Sequence, residues 1–208
     1  MSKPSVGKSK GITNLYIDGT NLFAGQNELF GPDRYLSFDY LVKEVKKLIR
    51  VDKIFFYASY MRMRNKGKPT VQRKKLIAAE ALFYREVKNT QNVVFYKGHR
   101  SKTSGKEKGV DVHLSVDIVK DVLFQKCNQI VIMTGDADLI YPLEIVKMLK
   151  IPTYAIFLPN RFSLEMCYKV NKAFVFNFSD RFNADRKLPR QLKIVVIKKP
   201  RMINIRGR

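Results

Sequence analysis

A chain of 208 residues, 45% of them hydrophobic, is long and apolar enough to bury one sizeable core, which excludes a disordered or a disulfide-stapled polypeptide. With 40 Lys and Arg against 18 Asp and Glu, its formal charge of +22 far exceeds what solubility asks of a small domain. Lysines that merely solvate helix faces explain a moderate excess; one this large points to a polyanionic partner, attracted through counterion release without regard to its sequence.

The two cysteines, Cys127 and Cys167, stand far apart with no CxxC pair or histidine cluster beside them, so neither a zinc site nor a disulfide is expected. No apolar run reaches the length of a membrane span, and the basic stretch at residues 1–11 leads into no secretion signal. A soluble, cytoplasmic protein with no membrane partner is the expectation. Gly7-Lys8-Ser9 lacks the spaced glycine and the launching strand of a P-loop.

In chain order, short β-rich apolar runs predict strands at Ile12 to Asp18, Lys53 to Ser59, Asn92 to Gly98, Gln129 to Gly135, Pro152 to Leu158 and Ala173 to Phe178. Their near-continuous apolar character suits strands covered on both faces. Helical spacing predicts helices over Phe38 to Arg50, Thr70 to Lys88, Val110 to Phe124, Leu139 to Leu149 and Phe162 to Val170. Alternation of this kind means an α/β fold, a three-layer α/β/α sandwich around a mainly parallel sheet. The expected organisation is a basic tail over residues 1–11, one domain over 12–180 and a basic extension over 181–208. In that extension LKIVVIKKPRMINIR reads as a β-hairpin about Lys199 and Pro200. Pairing with the sheet edge, homodimer formation and a grip on a phosphate backbone are all open to it.

Two basic loops, Met61 to Lys75 and Lys97 to Lys108, each follow a strand and lead into a helix, which puts them at the carboxyl edge where open parallel sheets bind ligands. Arg62, Arg64, Lys66, Lys68, Arg73 and Lys74 of the first, and His99, Arg100, Lys102, Lys106 and Lys108 of the second, are the candidate nucleic-acid-binding residues. Tyr57, Tyr60 and Tyr96 lie near these loops as candidates for stacking on unpaired bases, with core filling the alternative for some of them.

The chemistry gathers at the same edge. The first strand ends in Asp18-Gly19-Thr20-Asn21, with Gly19 allowing a sharp turn, and the fourth ends in Thr134-Gly135-Asp136-Ala137-Asp138. If those strands are neighbours, Asp18 and Asp136 face one another, and Asp111 opens a helix that starts on that edge. Helix capping is the structural alternative for Asp111, and for Asn21 and Asp138 as well. Asp117, six positions beyond Asp111, points about two-thirds of a turn away and stays out of the cluster. Oxygen ligands without His or Cys suit a hard ion such as Mg²⁺ or Mn²⁺, which serves phosphodiester hydrolysis.

Tyr16-Ile17-Asp18-Gly19-Thr20-Asn21, Lys108-Gly109-Val110-Asp111-Val112 and Thr134-Gly135-Asp136-Ala137-Asp138-Leu139 resemble the three signature segments of NYN domains, the PIN-like ribonucleases that include LabA-like proteins. The resemblance spans about residues 12 to 180. It implies a PIN-like fold, RNA (single-stranded or structured) as substrate, and Mg²⁺ or Mn²⁺ held by Asp18, Asp111 and Asp136, with Asn21 and Asp138 lining the site. Two rivals stand beside this metal-dependent ribonuclease. One is a non-catalytic RNA-binding module of the same fold. The other is a haloacid-dehalogenase-like phosphatase, whose DxDGT motif ends like Asp18-Gly19-Thr20 but needs a nucleophilic acid where this chain has Tyr16.

Overall fold

The computed structural model describes residues 11–61, 70–100, 107–178, 181–182 and 187–205. Its seven-stranded central sheet is built from β1 (Thr13–Asp18), β3 (Lys53–Ala58), β4 (Val93–Lys97), β7 (Gln129–Met133), β8 (Thr153–Phe157), β9 (Lys172–Phe178) and β10 (Leu192–Ile197). The order is β10-β9-β8-β7-β1-β3-β4 and every pairing is parallel. The first strand thus sits between β3 and β7, so the chain winds outward from it in both directions. Such a switch in direction opens a crevice at the carboxyl ends of the central strands.

Alternate residues of each strand feed opposite cores, as the pleat requires. Leu15, Ile17, Ile54, Phe56, Val131 and Met133 face one layer, covered by α1 (Gly19–Phe30), α2 (Phe38–Leu48) and α3 (Val71–Asn89). Tyr16, Tyr57, Ile130, Ile132 and Phe157 face the other, covered by α4 (Val110–Leu123), α5 (Ile140–Met148) and α6 (Leu164–Lys169). This is the three-layer α/β/α fold that the sequence predicts, with the six expected strands in place.

Four elements, one helix and three short strands, are additional to the expectation among the described residues. Helix α1 follows β1 directly, with Leu22 and Phe23 buried in the first core, and the short β2 (Arg34–Leu36) follows it. Between β4 and α4, β5 (His99–Arg100) and β6 (Glu107–Lys108) form a small antiparallel ribbon. The expected C-terminal hairpin is corrected. Its first arm, β10, lies parallel to β9 and lengthens the main sheet, while its second, β11 (Met202–Asn204), pairs antiparallel with β2. Edge positions with unpaired backbone groups in β9 and β2 offered each arm a partner better placed than the other arm. Among the described residues no helix is long and apolar enough to cross a membrane.

Candidate metal centre and nucleic-acid interface

β1 and β7 run side by side with Ile17 opposite Met133, so the residues that follow, Asp18 and Thr134, leave the sheet together. Asp18 is buried and caps α1, its Oδ1 accepting from the backbone N–H of Asn21 at 2.9 Å. The hydroxyl of Thr134 donates to Asp18 Oδ2 at 3.2 Å and accepts from the backbone N–H of Asp136 at 3.1 Å. Asp136 is half-buried, and its Oδ1 accepts from the backbone N–H of Asp138 at 3.0 Å, capping the single 3-10 turn that precedes α5. Across the crevice, Asn21 Oδ1 accepts from Gly135 N–H at 3.3 Å.

Two glycines are required here by space. A Cβ on Gly19 would come within 2.1 Å of the Phe56 ring, and one on Gly135 within 2.1 Å of the Arg161 carbonyl oxygen. Gly19 therefore serves close packing of α1 on the sheet, in a helical conformation, whereas the sequence suggested a sharp turn. Gly135 lets the loop after β8 close over the end of β7.

The third acid comes from α4. Gly109, in the left-handed region at φ 83°, turns the chain out of β6 and into the helix, and Asp111 occupies its exposed first turn. Gly109 fills the cap position, so Asp111 is not the cap; its charge still complements the helix N-terminus. One carboxylate oxygen from each of Asp18, Asp111 and Asp136 lies within 4.8 Å of the other two. Three hard anionic donors at that separation fit a divalent cation kept partly hydrated, and nothing in the set suits a soft ion.

Asp138 is exposed and outside that cluster; its backbone orients Asp136, and its side chain lies at the mouth of a groove between α4 and α5. Asp117 is turned away, accepting from the Tyr57 hydroxyl at 2.9 Å and pairing with Lys120. Thr134 is the contributor that sequence reasoning missed.

Of the basic candidates, Lys108 pairs with His99 across the β5–β6 ribbon immediately before Asp111, and Arg100 stands opposite Glu107. Arg73 and Lys74 are exposed in the first turn of α3. Arg62, Arg64, Lys66, Lys68, Lys102 and Lys106 lie outside the described residues. Among the tyrosines, Tyr57 is core, whereas Tyr60 and Tyr96 are half-buried. Tyr60 packs against Tyr84 and Phe95 beneath the ammonium groups of Lys88 and Lys97.

The position a phosphatase nucleophile would need is filled by Tyr16, fully buried, its hydroxyl donating to Asp121 at 2.9 Å. Burial holds that phenol far above its ordinary range, and its side chain belongs to the α4 layer of the core. The phosphatase reading fails on this point.

The family model of the NYN domain matches residues 12–177. The chain belongs to the NYN domain family. NYN domains are PIN-like nucleases that act on RNA and use divalent metals, and this NYN domain carries the acidic cluster that such an ion requires. No curated protein matches the chain in sequence. Among solved structures, a protein of unknown function from Vibrio parahaemolyticus RIMD 2210633 superposes with a TM-score of 0.59 at 12% identity, covering 81% of this NYN domain chain and 94% of its own. That likeness is one of fold. The nicotinamidase of Staphylococcus aureus covers 73% of this chain and 83% of its own at 15% identity, with a TM-score of 0.31, too loose a superposition to bear on function.

Proposed function

We propose that this NYN domain is a ribonuclease that hydrolyses RNA phosphodiester bonds with Mg²⁺ or Mn²⁺ held by Asp18, Asp111 and Asp136. The observation that carries the proposal is the convergence of these three carboxylates, from two strand ends and a helix start, within 4.8 Å in a chain of charge +22. Stabilisation of the charge that develops on a phosphodiester is the chemistry such an ion supplies.

The chain's own residues hold the frame. Thr134 and Asn21 lock the two strand ends together, and the backbone of Asp138 orients Asp136. In the proposal Asn21 and Asp138 line the reacting phosphate. Arg73, Lys74, His99, Arg100 and Lys108 neutralise the flanking phosphates, with Arg62, Arg64, Lys66, Lys68, Lys102 and Lys106 assigned the same role from sequence. The proposed setting is the cytoplasm, supported by two buried free thiols, Cys127 and Cys167, the latter pushed up to about 12 by burial and so held as unreactive thiol.

A homodimer is part of the proposal. It is supported by an outward apolar stripe on α4, Val112, Val116, Val119 and Leu123, beside a second on α5, Tyr141, Ile145 and Met148.

Purified protein with Mn²⁺ or Mg²⁺ is expected to cleave single-stranded RNA. Asp18→Asn and Asp136→Asn should each lower the rate at least about a hundredfold, in the range expected when a group that stabilises transition-state charge is removed, while RNA affinity stays within about twofold. Equal cleavage by wild type and variants would trace the activity to a contaminant. Binding without cleavage under every divalent ion would leave only the binding module.

A further inference from the structure

The face of the sheet beyond α4 is open. Helix α4 packs over β1 and β3 and meets the edge strand β4 at His113, beyond which Val94 of β4 is 54% exposed and Phe55 of β3 and Tyr96 of β4 are half-buried. Among the described residues a cavity of about 570 Å³ lies between that face and the flank of α4, within the range of small-ligand sites. Its floor is aromatic. Phe55 stacks beside Tyr16 with centroids 5.1 Å apart, Tyr96 lies 5.6 Å from Tyr57, and His113 stacks on Tyr96 at 4.2 Å.

One buried polar atom on this wall lacks a partner. Asn14 is 1% exposed and lines the cavity. Because the Tyr16 hydroxyl spends its proton on Asp121, it must accept from the amide nitrogen of Asn14, 3.2 Å away. That fixes the amide orientation and leaves Oδ1 as an acceptor without a donor. An unmet buried acceptor is costly, and calls for a ligand that brings an N–H or O–H. The acids nearby are already engaged: Asp117 by Tyr57 and Lys120, Asp121 by Tyr16 and, at 3.7 Å, by Lys126. Lys53 stands at the opening beside Lys120 and Lys126, which are shared with those two acids, so three ammonium groups face two carboxylates there.

A flat ring to stack on aromatics, an N–H donor for Asn14 and an anion for the lysines together describe a nucleotide. We propose that this groove receives an unpaired nucleotide of the RNA strand, its base over Phe55 and Tyr96 and its phosphate beside Lys53 and Lys126. The inference rests on the RNA reading above. It extends it by giving the strand a path: α4 runs from Asp111 at the metal centre past His113 to Asp121 at the groove, ten residues that span about 15 Å of helix. Base stacking tolerates any sequence, so the groove adds affinity and direction with little base selectivity.

The test uses the full chain in EDTA with a single-stranded oligoribonucleotide of mixed sequence, followed by NMR shifts of the Asn14 side-chain amide and the Phe55 and Tyr96 backbone amides. All three are expected to move, and the Lys53→Glu/Lys126→Gln pair, both exposed positions, should weaken binding about tenfold. Shifts confined to the edge around Asp18, Asp111 and Asp136, with affinity unchanged in the pair, would overturn the groove and leave the RNA reading standing. No binding of the oligoribonucleotide anywhere would remove the RNA reading itself. Adenosine monophosphate is the second arm: if it moves the groove resonances while RNA does not, the strand assignment is overturned in favour of a free-nucleotide site.

Discussion

The Thr134 hydroxyl joins the two strand-end acids, donating a hydrogen bond to Asp18 and accepting one from the backbone N–H of Asp136. Thr134→Val keeps the shape and removes both interactions, leaving the Asp136 N–H without that acceptor and one Asp18 oxygen without that donor. A loss of about 1–3 kcal/mol in stability is expected for groups stranded in this way. RNA cleavage should fall at least about tenfold with RNA affinity unchanged, since the side chains proposed to bind phosphate are untouched. Denaturant unfolding and single-turnover cleavage check the two expectations, and retention of full activity would remove Thr134 from the frame. The acids themselves were legible because a carboxylate after a β-rich run stands out, and two such ends plus a helix start converge by topology. Thr134 was not: a threonine at the end of a strand is an ordinary β-former, and only its register beside Asp18 gives it a role.

At the scale of elements, the strands declared themselves because burial on both faces demands long apolar runs. Helix α1 did not. It begins on Gly19 and ends before Gly31, contains Gly25 and Asn27, and has no acid in its first turn, so its local signals read as loop. What makes it a helix is tertiary: Leu22 and Phe23 fill the first core, and Asp18 caps it while also serving the acid cluster. The tail illustrates the converse. Alternation across Lys199 and Pro200 is a sound local pattern for a hairpin, but strand partners elsewhere in the molecule took both arms.

That pairing removes the tail as a reason for dimerisation, and the α4–α5 face supplies another. Val116, Tyr141 and Met148 are 57%, 71% and 81% exposed. Residues spaced i, i+4, i+7 on two adjacent helices present a continuous apolar face of the kind a two-fold dimer would bury. Light scattering is expected to give the mass of two chains for wild type and of one for Val116→Glu. A wild type that stays monomeric at tens of micromolar would refute the face as a self-contact.

For the whole molecule, the charge is what makes the site conspicuous. A chain of +22 repels cations over most of its surface, so three carboxylates brought within 4.8 Å stand out against that field as the place fit for a cation. Composition pointed to the polyanion before any element was placed, and motif spacing pointed to the acids. The open groove beside β4 was invisible, because it depends on the line along which α4 crosses the sheet, which no local pattern encodes. The same basic field makes one measurement decisive, since Mn²⁺ has few other places to go. In a titration followed by electron paramagnetic resonance, wild-type protein should quench the free-ion signal at low stoichiometry, and Asp136→Asn should bind at least about tenfold more weakly. Equal uptake of Mn²⁺ by the two proteins, or none by either, would contradict the account.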